Sequence, residues 1–106
     1  MSENRAGPVF SALADSTRRN VVEALASRDS ATATELAAEL PVTRQAVSKH
    51  LSALGSAGLV SSERRGRETH YRLTPEALSD ALSWMEQVGG QWERRLAALE
   101  RRFPDR

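Results

Sequence analysis

No cysteine occurs in the 106 residues. That excludes disulfides, a thiolate nucleophile and any thiolate-bound metal or cluster. Histidine is nearly absent as well, with only His50 and His70. One lone histidine on each of two elements does not make a transition-metal site. Aromatic residues make up 5%, so the core must be built largely from Leu, Val and Ala, a composition that suggests a mostly α protein. No early apolar run approaches the roughly 18 residues of a membrane span. The N-terminal MSENRAGP lacks a signal-peptide core, and the expectation is a cytoplasmic, soluble chain without membrane contact. No P-loop, dinucleotide fingerprint or nucleophile-and-base pair is present, which argues against an enzyme and against a bound cofactor. Asp15 and Asp80 read as a helix cap and a surface charge. The length suits one domain.

What is present is concentrated in the middle of the chain. Residues 41–72 carry six basic side chains (Arg44, Lys49, Arg64, Arg65, Arg67, Arg72) against Glu63 and Glu68, a net +4. The rest of the chain carries nine basic against twelve acidic, a net −3. A basic patch on an acidic body is the electrostatic footprint of a nucleic-acid reader. Within the patch, PVTRQAVSKHLSALGSAGLV (41–60) reads as a helix. Thr43 is a good N-cap, Val42 and Val47 can form a hydrophobic staple, and Val47, Leu51 and Leu54 repeat at helical spacing as a buried stripe. The opposite face carries Arg44, Gln45, Ser48, Lys49 and Ser52 and no acid at all. Such forked or short donors and acceptors suit base edges and phosphates. Gly55 and Gly58 can supply the stop and the turn that follow. His50 flanks the stripe, where a packed imidazole bonded to a backbone carbonyl is the first expectation, ahead of a phosphate contact.

Around this helix the other elements fall into place. Residues 1–7 read as a loose tail. Pro8 can open a first helix with Val9, Phe10 and Leu13 on one side. Asp15-Ser16-Thr17 is an N-cap cluster before RRNVVEAL, so the first helices span 8–26, with Val21, Val22 and Leu25 inward. Ser27 to Ala31 reads as a loop. Thr32 to Glu35 matches a capping box and starts a third helix that buries Leu36 and Leu40 and ends at Pro41. Residues 32–56 thus form a helix-turn-helix. Leu59–Arg65 and Glu68–Leu73 read as strands around Gly66-Arg67, a hairpin over 59–73 whose tip carries Arg64, Arg65 and Arg67. Directly after a recognition helix, such a hairpin is a wing.

From Thr74-Pro75-Glu76 a terminal helix is expected over 75–103. Its apolar positions are Leu78, Leu82, Met85, Trp92, Leu96, Leu99 and Phe103, with Gly89 where the next one belongs. Gly89-Gly90 implies either a kink or a close helix crossing. With Trp84 and Trp92, the stripe exceeds what a helix-turn-helix core can cover, and the surplus suits a second copy of the chain. The expected dimer surface is Phe10, Leu82, Met85, Trp92, Leu96 and Leu99.

Laid out in this order, the chain resembles the ArsR (SmtB-like) winged-helix repressors. The resemblance is carried by ALADSTRRNVVEAL (12–25), TATELAAELPVTRQAVSKHLSALGSAGLV (32–60) and RRGRETHYRL (64–73), about two-thirds of the chain. The terminal WMEQVGGQWERRLAALERRF is similar to a branch in which a Trp-rich last helix replaces the metal-binding one. The resemblance implies an α-α-α-α-β-β-α winged helix-turn-helix and a homodimer held by its first and last helices. It also implies an inverted-repeat operator in double-stranded DNA, with Ser48 and its neighbours in the major groove, and repression relieved by an effector. The family's thiolate site would lie at Glu35–Leu40, which holds no cysteine, and the last helix holds no histidine, so neither usual metal site is built here. The effector is then left open between an unidentified small molecule, another protein, and the protein's own concentration through autorepression. The competing reading is a winged-helix adaptor that binds proteins.

Overall fold

The computed structural model describes residues 6–102. Residues 1–5 of the tail predicted over 1–7, and Phe103, lie outside the described residues. Five helices and one hairpin follow in order: α1 (Ala6–Ala12), α2 (Ser16–Ala26), α3 (Ala33–Glu39), α4 (Arg44–Ser56), β1 (Val60–Arg65), β2 (Glu68–Leu73) and α5 (Pro75–Arg102). The α-α-α-α-β-β-α order is the one expected. Ala6 and Gly7, expected in the tail, belong to α1, because Ala6 is buried against the core.

Each of the three middle helices is started by a side chain that satisfies amides the helix cannot. The Asp15 carboxylate accepts from the amides of Thr17 at 2.8 Å and Arg18 at 3.1 Å. At α3 the capping box closes in both directions: Thr32 Oγ1 accepts from the Glu35 amide at 3.1 Å, and Glu35 Oε1 accepts from the Thr32 amide at 2.9 Å. Thr43 Oγ1 accepts from the Ala46 amide at 3.1 Å and starts α4. Between α3 and α4, Leu40 is extended (φ −114°, ψ 149°), as the ring of the following Pro41 requires. That short extended turn sets α4 across α3.

The Arg18 amide, with help from the Thr17 amide and the charges of His50 and Arg18, holds the Asp15 carboxyl below its ordinary 3.8 against a smaller opposing effect of burial. A depressed folded-state pKa stabilises the fold above the ordinary value and loses that contribution as pH falls through the folded one. Asp15→Ala should therefore lower Tm at neutral pH, because the cap of α2 is lost. Thermal melts should show the gap between wild type and variant shrinking below pH 3.8. A gap independent of pH would contradict the capping role.

The helices bury Val9, Val21, Leu25, Leu36, Val47, Leu51 and Leu54, joined by Leu59 and Val60 from the chain leaving α4. That exit is a two-bond helix stop: the Leu59 amide donates to Leu54 O and the Gly58 amide to Gly55 O, both at 3.0 Å. Gly58 has φ +80°, the left-handed position such a stop requires. Gly55, expected to share this role, lies inside α4. The stop matters because it turns the chain straight into β1, which places the hairpin beside α4.

The strands pair antiparallel from Val60↔Leu73 to Arg65↔Glu68, around the two-residue turn Gly66-Arg67. Gly66 has φ +63° and Arg67 does not have positive φ, the pattern of a type II′ hairpin turn. On its other side β2 is bridged by Ala31, whose amide donates to Tyr71 O at 3.0 Å and whose carbonyl accepts from the Tyr71 amide at 2.8 Å. The segment expected to be a loop therefore ends as a one-residue strand, and it anchors the hairpin to the helical body.

α5 is a single 28-residue helix, about 42 Å long at 1.5 Å per residue. It runs without a break through Gly89-Gly90. Its first turns close the core with Ala81, and Trp84 stacks edge-on against Phe10 of α1 with ring centroids 5.6 Å apart. Beyond that the helix leaves the body.

Candidate nucleic-acid interface

The stripe Val47, Leu51 and Leu54 is buried, which rotates the opposite face of α4 outward: Arg44, Gln45, Ser48, Lys49 and Ser52 are all exposed. No acidic side chain interrupts them. Thr43, at the head of the same face, has its oxygen engaged as the cap, leaving its O–H as the group free to donate. His50 is half-buried on the α2 side of α4, close enough for its charge to act on Asp15. The expected bond to a backbone carbonyl is not formed among the described residues.

The hairpin brings its arginines to one tip, though not in one state. Arg64 Nε donates to Gly66 O at 3.0 Å and so braces the turn. Arg65 pairs with Glu63 at 3.2 Å, with the two side chains 54% and 65% exposed. An ion pair this exposed is worth little, and an approaching phosphate can displace it. Arg67 has no hydrogen bond or ion pair among the described residues and projects from the turn itself. On β2, His70 Nε2 lies 3.1 Å from a Glu68 carboxylate oxygen, while its buried Nδ1 has no hydrogen-bond partner among the described residues. The recognition face and the hairpin adjoin directly, since side chains from α4 and β1 line one groove between them.

A second surface lies on α5. Leu82 (52% exposed), Trp92 (57%), Met85, Leu96 and Leu99 stand in the open, as does Phe10 at its rim. Trp84 and Val88 belong to the same face, although Trp84 flanks the three-and-four stepping of the stripe and Val88 stands one place before Gly89. Arg95 lies over the Trp92 ring at 5.9 Å. A continuous apolar face of this size marks an interaction surface. A Cβ built at Gly89 would meet nothing within 4 Å, so no described part of the chain crosses the helix there. Among the described residues, no group of three or more His, Cys, Asp or Glu side chains is arranged to hold a metal, and no helix is long and apolar enough to cross a membrane.

A helix-turn-helix with a bare polar second helix, followed by an arginine-tipped hairpin, defines a winged helix-turn-helix, a DNA-binding fold. A family model described as a helix-turn-helix domain matches residues 13–63. Among curated proteins, the chain is 41% identical over 85 residues to the HTH-type transcriptional regulator YuzN of Bacillus subtilis (74% of this chain, 92% of that one). It is 34% identical over 77 residues to the transcriptional repressor SdpR of the same organism (73% and 84%). Among solved structures, an ArsR-like transcriptional regulator from Rhodococcus sp. RHA1 superposes with TM-score 0.79 at 41% identity, covering 92% of this chain and 91% of that one. The homodimeric winged helix-turn-helix DNA-binding domain of a possible ArsR-family regulator from Mycobacterium bovis does so with TM-score 0.65 at 25% identity, covering 82% and 80%. The chain belongs to the ArsR family of winged helix-turn-helix transcriptional regulators. It is thus a regulator and not an enzyme.

Proposed function

We propose that the protein is a homodimeric, sequence-specific repressor of an inverted-repeat operator. α4 enters the major groove, where Arg44, Gln45 and Ser48 meet base edges while Thr43, Lys49 and Ser52 reach the flanking phosphates. Arg64, Arg65 and Arg67 lie on the backbone at the neighbouring minor groove. The observation that carries this reading is the α4 face, fully exposed, rich in donors and free of carboxylates, with the basic hairpin beside it. Two copies pair through α1 and α5, using Phe10, Leu82, Met85, Trp92, Leu96 and Leu99 together with Trp84 and Val88. A homodimeric relative supports the pairing, and a relative named as a repressor supports the sign of regulation. Metal is not the effector in this reading, since neither usual family site has its ligands.

Duplex affinity should fall steeply between about 50 and 200 mM salt, because each phosphate contact releases condensed counterions. Arg67→Ala should reduce the slope of log K against log salt by about 0.9 for each phosphate left unneutralised, on every sequence alike. A protein that binds no duplex at low salt would overturn the proposal and leave the adaptor reading in its place.

A further inference from the structure

The groove between α4 and β1, about 510 Å³ in volume, has a lining of unusual chemistry. Five serines line it, Ser48, Ser52 and Ser56 from α4 and Ser61 and Ser62 from β1, with Tyr71 of β2 alongside; no acid and no base lines it. None of the five serine hydroxyls makes a hydrogen bond among the described residues, and all five serines are exposed. β1 is also the open edge of the sheet among the described residues, since β2 takes Ala31 on its far side and no described residue pairs with the other side of β1. Among the described residues its outward amides therefore have no strand partner, and they lie beside the serines.

We propose that this groove is a track for one phosphodiester strand, held by neutral donors: Ser52 and Ser56 on one wall, Ser61 and Ser62 on the other. The inference rests on the DNA-binding reading above, which already places Ser52 at a phosphate, and extends it to Ser56, Ser61 and Ser62, which that reading does not use. A helix seated in the major groove and a hairpin at the adjacent minor groove are separated on DNA by a single backbone strand. That strand must run through whatever space separates the two elements on the protein. A carboxylate there would repel it, and a long side chain would fill its place. Serine is the smallest side chain that still donates to a phosphate oxygen, and it occurs five times along the walls of this one groove.

Neutral contacts have a signature that the arginines lack. Hydroxyls lend affinity without displacing counterions, so their removal should shift binding curves without changing the salt slope. The experiment uses the full chain and a fluorescent duplex of about 30 bp, long enough for two half-sites one turn apart. One duplex carries a sequence selected by the wild-type protein and another a scrambled sequence, each titrated across a salt series. Ser56→Ala/Ser61→Ala/Ser62→Ala should weaken binding to both duplexes by roughly a hundredfold or more, from the removal of three hydrogen bonds in each of the two copies. Its slope and its preference for the selected duplex should match wild type. Ser62→Glu, which places a carboxylate in the track, should weaken both duplexes further. All these positions are exposed, and thermal melts matching wild type will establish that the variants are folded.

Wild-type affinity in the triple variant, with Arg67→Ala still impaired, would overturn the track while leaving the DNA reading intact. A loss confined to the selected duplex would overturn it too, because it would make the serines base readers. If the wild-type protein bound neither duplex, both proposals would fall together.

Discussion

Trp92→Glu combined with Leu96→Glu should turn the dimer into a folded monomer and nearly abolish operator binding. Both side chains stand exposed on the isolated chain, so their replacement leaves the winged core untouched. In the proposed dimer they are covered, and each copy would then bury two unpaired carboxylates, at a cost of several kcal/mol per charge. Dimer affinity cannot absorb that cost. Sedimentation should report the mass of one chain, with a thermal melt still cooperative. The effect on DNA is larger than the change in direct contacts suggests. Two linked readers bind the second half-site at an effective concentration set by the dimer, which commonly raises affinity by about 10²- to 10⁴-fold. The monomer forfeits that factor while its single-half-site contacts persist. A stable dimer in this variant would relocate the interface away from α5.

Arg44→Ala with Gln45→Ala should abolish sequence preference while sparing much of the non-specific affinity. Both residues occupy the first turn of α4, the end that a recognition helix presents to base edges. A good bidentate contact discriminates by about 1 to 3 kcal/mol per base, and in a symmetric dimer each substitution acts at both half-sites. Removing both side chains from both copies therefore takes away enough discrimination to reduce the preferred site to the level of random DNA. The arginine hairpin and the groove beside it still hold the backbone, so binding at low salt should survive. Competition of selected against random duplex measures the ratio directly. Retained preference would mean that bases are read elsewhere.

Features of the fold differ in how far the sequence reveals them, and the reasons are physical. Helix starts could be read because a cap is a local event: Asp15, the Thr32–Glu35 pair and Thr43 each satisfy amides two or three residues away. The stripe Val47, Leu51 and Leu54 and the two-residue hairpin turn are likewise short-range. The Ala31 bridge to Tyr71 joins distant parts of the chain through a single residue pair, and one pair has no periodicity to detect. Gly55 and Gly58 look alike as letters, and only the backbone φ separates the helical one from the stop. Continuity of α5 through Gly89-Gly90 is decided by the well-formed turns on both sides, which outweigh a penalty of about 1 kcal/mol per glycine. At the candidate interface, the exposed face of α4 follows from its buried face and was legible in full. The unequal engagement of Arg64, Arg65 and Arg67 was not, since it depends on where Glu63 and the Gly66 carbonyl stand in the folded turn. The serine groove was invisible for the same reason: its two walls belong to different elements and meet only because Gly58 turns β1 back along α4.

The most direct test of dimeric, sequence-specific reading through α4 is selection of bound duplexes from a random pool by the wild-type protein. The expected product is an inverted repeat whose half-site centres lie about one helical turn, or a multiple of it, apart, bound at least roughly 10³-fold more tightly than random DNA. Recovery of a single half-site would contradict the dimer, and a pool that stays random after repeated rounds would contradict specific reading altogether.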